Sequence, residues 1–241
     1  MNYKLEVIGF TIDSCLKAQL AGASRIELCD NPGEGGTTPS YGFIKAARAH
    51  LSIDLHPIIR PRGGNFLYTD AEFEIMKTDI SICKELGCDA VVLGILNSDG
   101  TVDKKRCSQL IQLAYPMGVT FHRAFDRVVN AVQALEDIIE IGCERILTSG
   151  LVPHALDGTS SIAALIKQAG GRIIIMPGSG IRSDNILQIA TETGATEFHT
   201  SASVFTKSKM EINNSSMKEN LQLLTVDEDE ISKMIRLLQS L

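Results

Sequence analysis

Glu6 and Glu27 stand inside apolar runs, KLEVI at 4–8 and RIELC at 25–29. A carboxylate in such a run is either paired with a cation or holds its proton tightly, and the second condition suits general acid/base work. Arg60 and Arg62, in RPRGG, are candidate partners for those carboxylates. They are equally candidate anion ligands, because a planar guanidinium meets a carboxylate or phosphate through two hydrogen bonds. FHRAFD carries His122, Arg123 and Asp126 in one short stretch. Asp126 could fix the tautomer of His122 and raise its basicity, with Arg123 adding to an anion site. In MPGSGI, the small residues Gly178, Ser179 and Gly180 would let backbone N–H groups approach an anion, and Ser183 would open the following helix. His199 and Ser201, in EFHTS, complete the set.

Each of these features also has a purely structural reading. Glu6 or Glu27 with Arg60 could be a scaffold ion pair, and MPGSGI could be a turn that needs glycine only for its geometry. NPGEGGTTPS at 31–40 reads as a lid over the site or as a passive connection. His50, His56 and His154 read as scaffold or surface.

The positions of these residues follow from the elements around them. Strands are predicted at 4–8, 25–29, 53–59, 89–95, 118–122, 144–148, 172–176 and 196–199, several of them nearly continuous apolar runs. Helices are predicted at 13–21 from Asp13, 69–86 from Thr69, 130–141 from Asn130 and 183–193 from Ser183. A helix-Gly-x-x-strand phrase recurs in AGASRIEL, LGCDAVVL, IGCERILT and TGATEFHT. Glycine there suits a left-handed helix end and a tight turn. The pattern is one βα unit used eight times, which predicts a single-domain (β/α)₈ TIM barrel over about 4–205 rather than an open doubly wound sheet. In such a barrel, sites form at the C-terminal ends of the strands, where these charged residues fall. Residues 206–241 are predicted as a polar loop and an extra C-terminal helix capped by Thr225.

The 241 residues carry a net charge of −6, which opposes a nucleic-acid partner. No apolar stretch approaches the ~20 residues of a membrane helix. The N-terminal residues MNYKLEVIGF lack the pattern of a secretion signal. The six cysteines form no C-x-x-C pair, so reduced thiols in the cytoplasm are expected.

The strings AGASRIELCDNPGEGGTTPS, IIRPRGGNFLYTDAEFEIM, VTFHRAFD, RILTSG, MPGSGI and TEFHTSA together resemble the CutC family of copper homeostasis proteins, over about residues 5–202. The resemblance implies a TIM barrel, a cytoplasmic location, self-association into a homo-oligomer, and the handling of copper as Cu(I). It also implies a soft ligand at Cys29. The cysteine that the family often places directly after the first Glu-Val is here Ile8.

Two functions are therefore expected as alternatives. In one, Cys29 binds Cu(I) for copper homeostasis. In the other, the barrel is an enzyme acting on a small anionic or phosphorylated metabolite. Glu6, Glu27, His122 and Asp126 would then serve acid/base chemistry, with Arg60, Arg62, Arg123, Gly178, Ser179, Gly180 and Ser201 on the anion.

Overall fold

Runs of β-branched and apolar residues form the strands β1 (Lys4–Gly9), β2 (Arg25–Leu28), β3 (Asp54–Pro57), β4 (Ala90–Leu93), β5 (Gly118–Phe121), β6 (Arg145–Thr148), β7 (Ile174–Pro177) and β8 (Glu197–Thr200). The structure is a computed structural model and describes residues 3–212, 214–218 and 220–241. Positions 213 and 219 of the predicted polar loop lie outside the described residues.

Parallel ladders join β3, β2, β1 and β8 on one side and β4 to β7 on the other. β3 meets β4 through the bridge Ile58–Val92, with Ile59 N–H donating to Val92 O at 2.7 Å. β7 lies beside β8, where Thr200 Oγ1 donates to Ile181 O at 2.8 Å. The ring thus closes as the repeat predicts, and β8 pairs with β1 in the register Glu6–His199.

The helices α1 (Ile12–Leu20), α2 (Tyr41–His50), α3 (Asp70–Glu85), α4 (Lys104–Ala114), α5 (Ala131–Glu140), α6 (Thr159–Ala169) and α7 (Ile186–Thr193) cover the ring. In α3 a capping box joins Thr69 and Glu72, and Phe73, Met76, Ile80 and Cys83 form its buried stripe. The glycine of the repeated phrase has φ of +97° at Gly22, +74° at Gly87, +90° at Gly142 and +72° at Gly194. A side chain at those positions would strain the turn into the next strand.

Three helix starts move from the predicted residue. Thr11, not Asp13, caps α1, because its hydroxyl accepts from Ser14 N–H. Asn185, not Ser183, precedes α7, and the Ser183 N–H and hydroxyl instead donate to Glu230 at 2.7 and 2.8 Å. The third lies in the C-terminal segment. LLTV forms β10 (Leu223–Val226), antiparallel to β9 (Ser203–Thr206), so Thr225 pairs with Val204 instead of capping a helix. Asp227 caps α8 (Glu228–Gln239), accepting from Glu230 N–H at 3.1 Å. Alternating β-favouring residues before a stronger cap explain the shift.

Candidate active site at the barrel mouth

Period two in the strands sends Glu6, Arg25, Glu27, His56, Arg145, Glu197 and His199 toward the barrel axis, where all are buried. Arg25 is the centre of the network. Its Nε donates to Glu6 Oε2 at 2.5 Å and its Nη2 to Glu197 Oε2 at 2.7 Å. Arg145 Nε donates to the same Glu197 oxygen at 3.0 Å. The partner of the buried carboxylate is therefore Arg25, not Arg60 or Arg62. Arg25, on β2, pairs with Glu6, on β1, because the register sets these two residues side by side.

Glu6 in turn positions a histidine. Its Oε1 accepts from His199 Nδ1 at 2.7 Å, leaving His199 Nε2 at 3.7 Å from Glu27 Oε2. Burial alone would raise the proton affinity of Glu6, but the Arg25 charge and His199 override it and hold Glu6 ionised well below the usual range. Among the described residues, no guanidinium hydrogen-bonds to Glu27. Burial pushes its pKa up to about 7, with His199 opposing and Glu6 reinforcing the rise. Burial would lower the His199 pKa, but Glu6 and Glu27 outweigh it and raise it. His56 is held near 3 by burial and stays neutral.

Above this layer opens a cavity of about 1350 Å³. Glu27, His122 and His199 lie at its lining, together with Arg60, Arg123 and Asp126. Ser179, Gly180 and Ser201 line the wall after β7 and β8. Gly178 lies against Leu147 and His199, so closely that a Cβ there would stand 2.5 Å from Leu147 Cδ1. Glu6 lies below the lining.

Several predicted roles change. Arg60 Nη1 donates to Glu34 O and Gly36 O, each at 2.6 Å, and its Nη2 donates to Gly64 O at 2.9 Å. Arg60 thus ties the 31–40 loop to the RPRGG loop. Arg62 turns to Glu72 at 2.5 Å and packs over Tyr68, away from the cavity. Asp126 does not touch His122. Its carboxylate accepts from Thr148 Oγ1 at 2.5 Å, from Ser149 N–H and from Arg123 Nε at 2.7 Å. His122 Nδ1 instead accepts from Ala124 N–H at 3.2 Å. Arg127, exposed at the rim, also lines the cavity and was not singled out in the sequence.

The family model for CutC matches residues 3–204. The chain belongs to the CutC family. A CutC family protein of Chromobacterium violaceum is 54% identical over 84% of this chain and 82% of its own length. The human copper homeostasis protein cutC homolog is 46% identical over 90% of this chain and 79% of its own. Among solved structures, a CutC from Streptococcus agalactiae superposes with a TM-score of 0.79 at 37% identity, covering 83% of this chain and 98% of that one. Phosphoribosyl anthranilate isomerase from Thermotoga maritima shares the barrel alone, at a TM-score of 0.62 and 13% identity, covering 99% of this chain and 100% of that one.

The CutC name raises the question of copper, and the sulfur atoms answer it poorly. Cu(I) is held by thiolate or thioether ligands. Cys29 is fully buried, and burial together with Glu27 raises its thiol pKa far above the usual value, so it keeps its proton. The Met176 thioether accepts from Arg25 Nη2 at 3.2 Å. Ile8 lines the cavity where a second cysteine would stand. Glu6, Glu27 and His199 do bring ligand atoms within 4.8 Å of one another, but these are oxygen and nitrogen donors. The donor set does not fit Cu(I).

Proposed function

We propose that this CutC-family barrel is an enzyme that moves a proton on a small anionic metabolite held at its mouth, rather than a Cu(I) carrier. One observation carries the reading. Glu27, with its pKa near 7, lies at the lining of a large cavity and faces His199, which Glu6 and Arg25 hold in place. A carboxyl group of that affinity exchanges its proton at neutral pH, as a general acid/base must. His199 supports it: with Nδ1–H donated to Glu6, its Nε2 is the atom turned toward Glu27, at 3.7 Å. Arg127 gives the rim a positive charge for the anionic part of the metabolite, the charge of Arg123 being met by Asp126. The six unpaired, buried cysteines suit a cytoplasmic setting, and the family resemblance adds self-association.

The test uses a panel of small phosphorylated and carboxylated metabolites in D₂O, with NMR detection of deuterium entering C–H positions. The wild-type protein should label at least one compound, and Glu27→Gln should lower that rate by roughly 10²–10⁴. Equal labelling by both proteins would count against the assignment.

A further inference from the structure

The imidazole of His122 is engaged on one edge only. Ala124 N–H donates to Nδ1 at 3.2 Å, so Nδ1 presents a lone pair and the ring proton resides on Nε2. Gly94, after β4, presses on the same edge, and a Cβ there would stand 2.7 Å from Nδ1. The Nε2 donor at the other end of the ring is buried and has no hydrogen-bond partner among the described residues. His122 is 3% exposed and lines the same cavity as Glu27. Phe66 covers the ring with centroids 4.8 Å apart, and the Arg60 guanidinium lies over Phe66 at 5.1 Å. Burial and the Arg60 charge hold His122 near a pKa of 3, so the ring stays neutral and keeps its donor at physiological pH. A buried N–H without an acceptor is costly, and it persists where a ligand supplies the acceptor.

We propose that the His122 Nε2–H, with the positive charge of Arg60 beside it, binds a carbonyl oxygen of the substrate, which makes the substrate a carbonyl compound with a removable hydrogen on the adjacent carbon. The proposal rests on the acid/base reading of Glu27. The Glu27 carboxylate takes the proton from that carbon. The C–H electron pair becomes the new C=C bond, and the C=O π pair moves onto oxygen, where the Nε2–H hydrogen bond strengthens. His122 keeps its proton throughout. The Glu27 carboxylic acid then returns the proton to carbon, so the step needs no oxidant or reductant. A neutral imidazole donor suits this role because it stabilises the enolate oxygen without protonating it.

The experiment uses oxalate and glycolohydroxamate, planar oxyanion mimics of an enolate, with the full-length protein carrying ¹⁵N-labelled histidine. His122 should hold the Nε2–H tautomer from pH 5 to pH 8, and at least one probe should move its Nε2–H resonance. His122→Phe should weaken probe binding at least tenfold by calorimetry, and His122→Gln, which restores an N–H donor, should recover part of the loss. An Nδ1–H tautomer, an imidazolium at pH 6, failure of both probes to bind, or equal affinity in His122→Phe would each overturn the proposal. If His122→Phe does not fold, the tautomer measured in the wild type and the His122→Gln affinity decide. The Glu27 reading fails separately, by a ¹³C titration that places its carboxyl at the ordinary carboxylate pKa.

Discussion

Replacing Glu27 with Gln should stabilise the protein, and only at high pH. The folded protein holds Glu27 near 7, against an ordinary 4.5. A raised folded pKa means that folding favours the protonated form. Below about 4.5 both folded and unfolded chains carry that form, so the buried group costs nothing through ionisation. Between 4.5 and 7 the unfolded chain gains by ionising while the folded chain does not, and stability falls with rising pH. Above 7 both ionise and the loss is complete. At about 1.4 kcal/mol per factor of ten, the gap amounts to roughly 3 kcal/mol at pH 8.5 and under about 1 kcal/mol at pH 5. Gln has almost the same shape and cannot ionise, so Glu27→Gln escapes the penalty. Urea unfolding at the two pH values measures the difference, and the variant should gain roughly 6 °C or more in Tm at pH 8.5. A variant equally destabilised at both values would refute the reasoning, since it would make Glu27 an ordinary paired carboxylate. The expected result has a functional meaning. A residue that costs stability in the working pH range is retained for what it does.

Arg25→Leu leaves Glu6 without a guanidinium while Glu197 keeps Arg145, and should cost roughly 3–5 kcal/mol in urea unfolding at pH 7, and a loss under about 1 kcal/mol would show that water or relaxation already compensates Glu6. Gly94→Ala should push the His122 ring off Ala124, visible as a change of tautomer or shift in ¹⁵N spectra, and unchanged spectra would contradict the close approach. All six thiols should resist a thiol reagent in the native protein and react after denaturation. In competition with a Cu(I) chelator the wild type should bind weakly and Cys29→Ser not at all, whereas tight wild-type binding would overturn the mismatch between donor set and metal.

The strands, the glycine turns and the ring were legible because each depends on local pattern. Thr69 and Asn130 cap the helices predicted for them, since a cap is a local hydrogen bond. The pairing of charges was not legible in the same way. Arg60 looked free to meet Glu6 or Glu27 because nothing in RPRGG shows that its guanidinium will be consumed by Glu34, Gly36 and Gly64 carbonyls. Asp126 stands four residues after His122, close enough in sequence to suggest contact, yet the turn at Arg123–Arg127 directs it to Thr148 and Ser149. One signal for the inner charges does lie in the sequence. Arg25 and Glu27 alternate with period two, as do Glu197 and His199, so each pair had to share the inner face of its strand.

The arrangement of these inner charges bears on the kind of reaction the site can run. In the lower layer two carboxylates, Glu6 and Glu197, face two guanidiniums, Arg25 and Arg145, and their charges cancel. His56 adds none, because burial keeps it neutral. Glu27 and His199 remain above this layer, both with raised proton affinity. Together they are neutral only while one proton resides on the pair, whichever of the two holds it. Shifting that proton between Glu27 and His199 leaves the buried charge unchanged, whereas releasing it to solvent leaves an uncompensated negative charge in a poorly hydrated layer. The balance therefore favours reactions that return the proton they take over reactions that discard it. Glu27 is only 3% exposed, so a turnover in D₂O should carry part of the substrate's own hydrogen into the product alongside deuterium from the solvent. Complete replacement by deuterium at every turnover would mean that Glu27 communicates freely with solvent, and the argument from charge balance would fall.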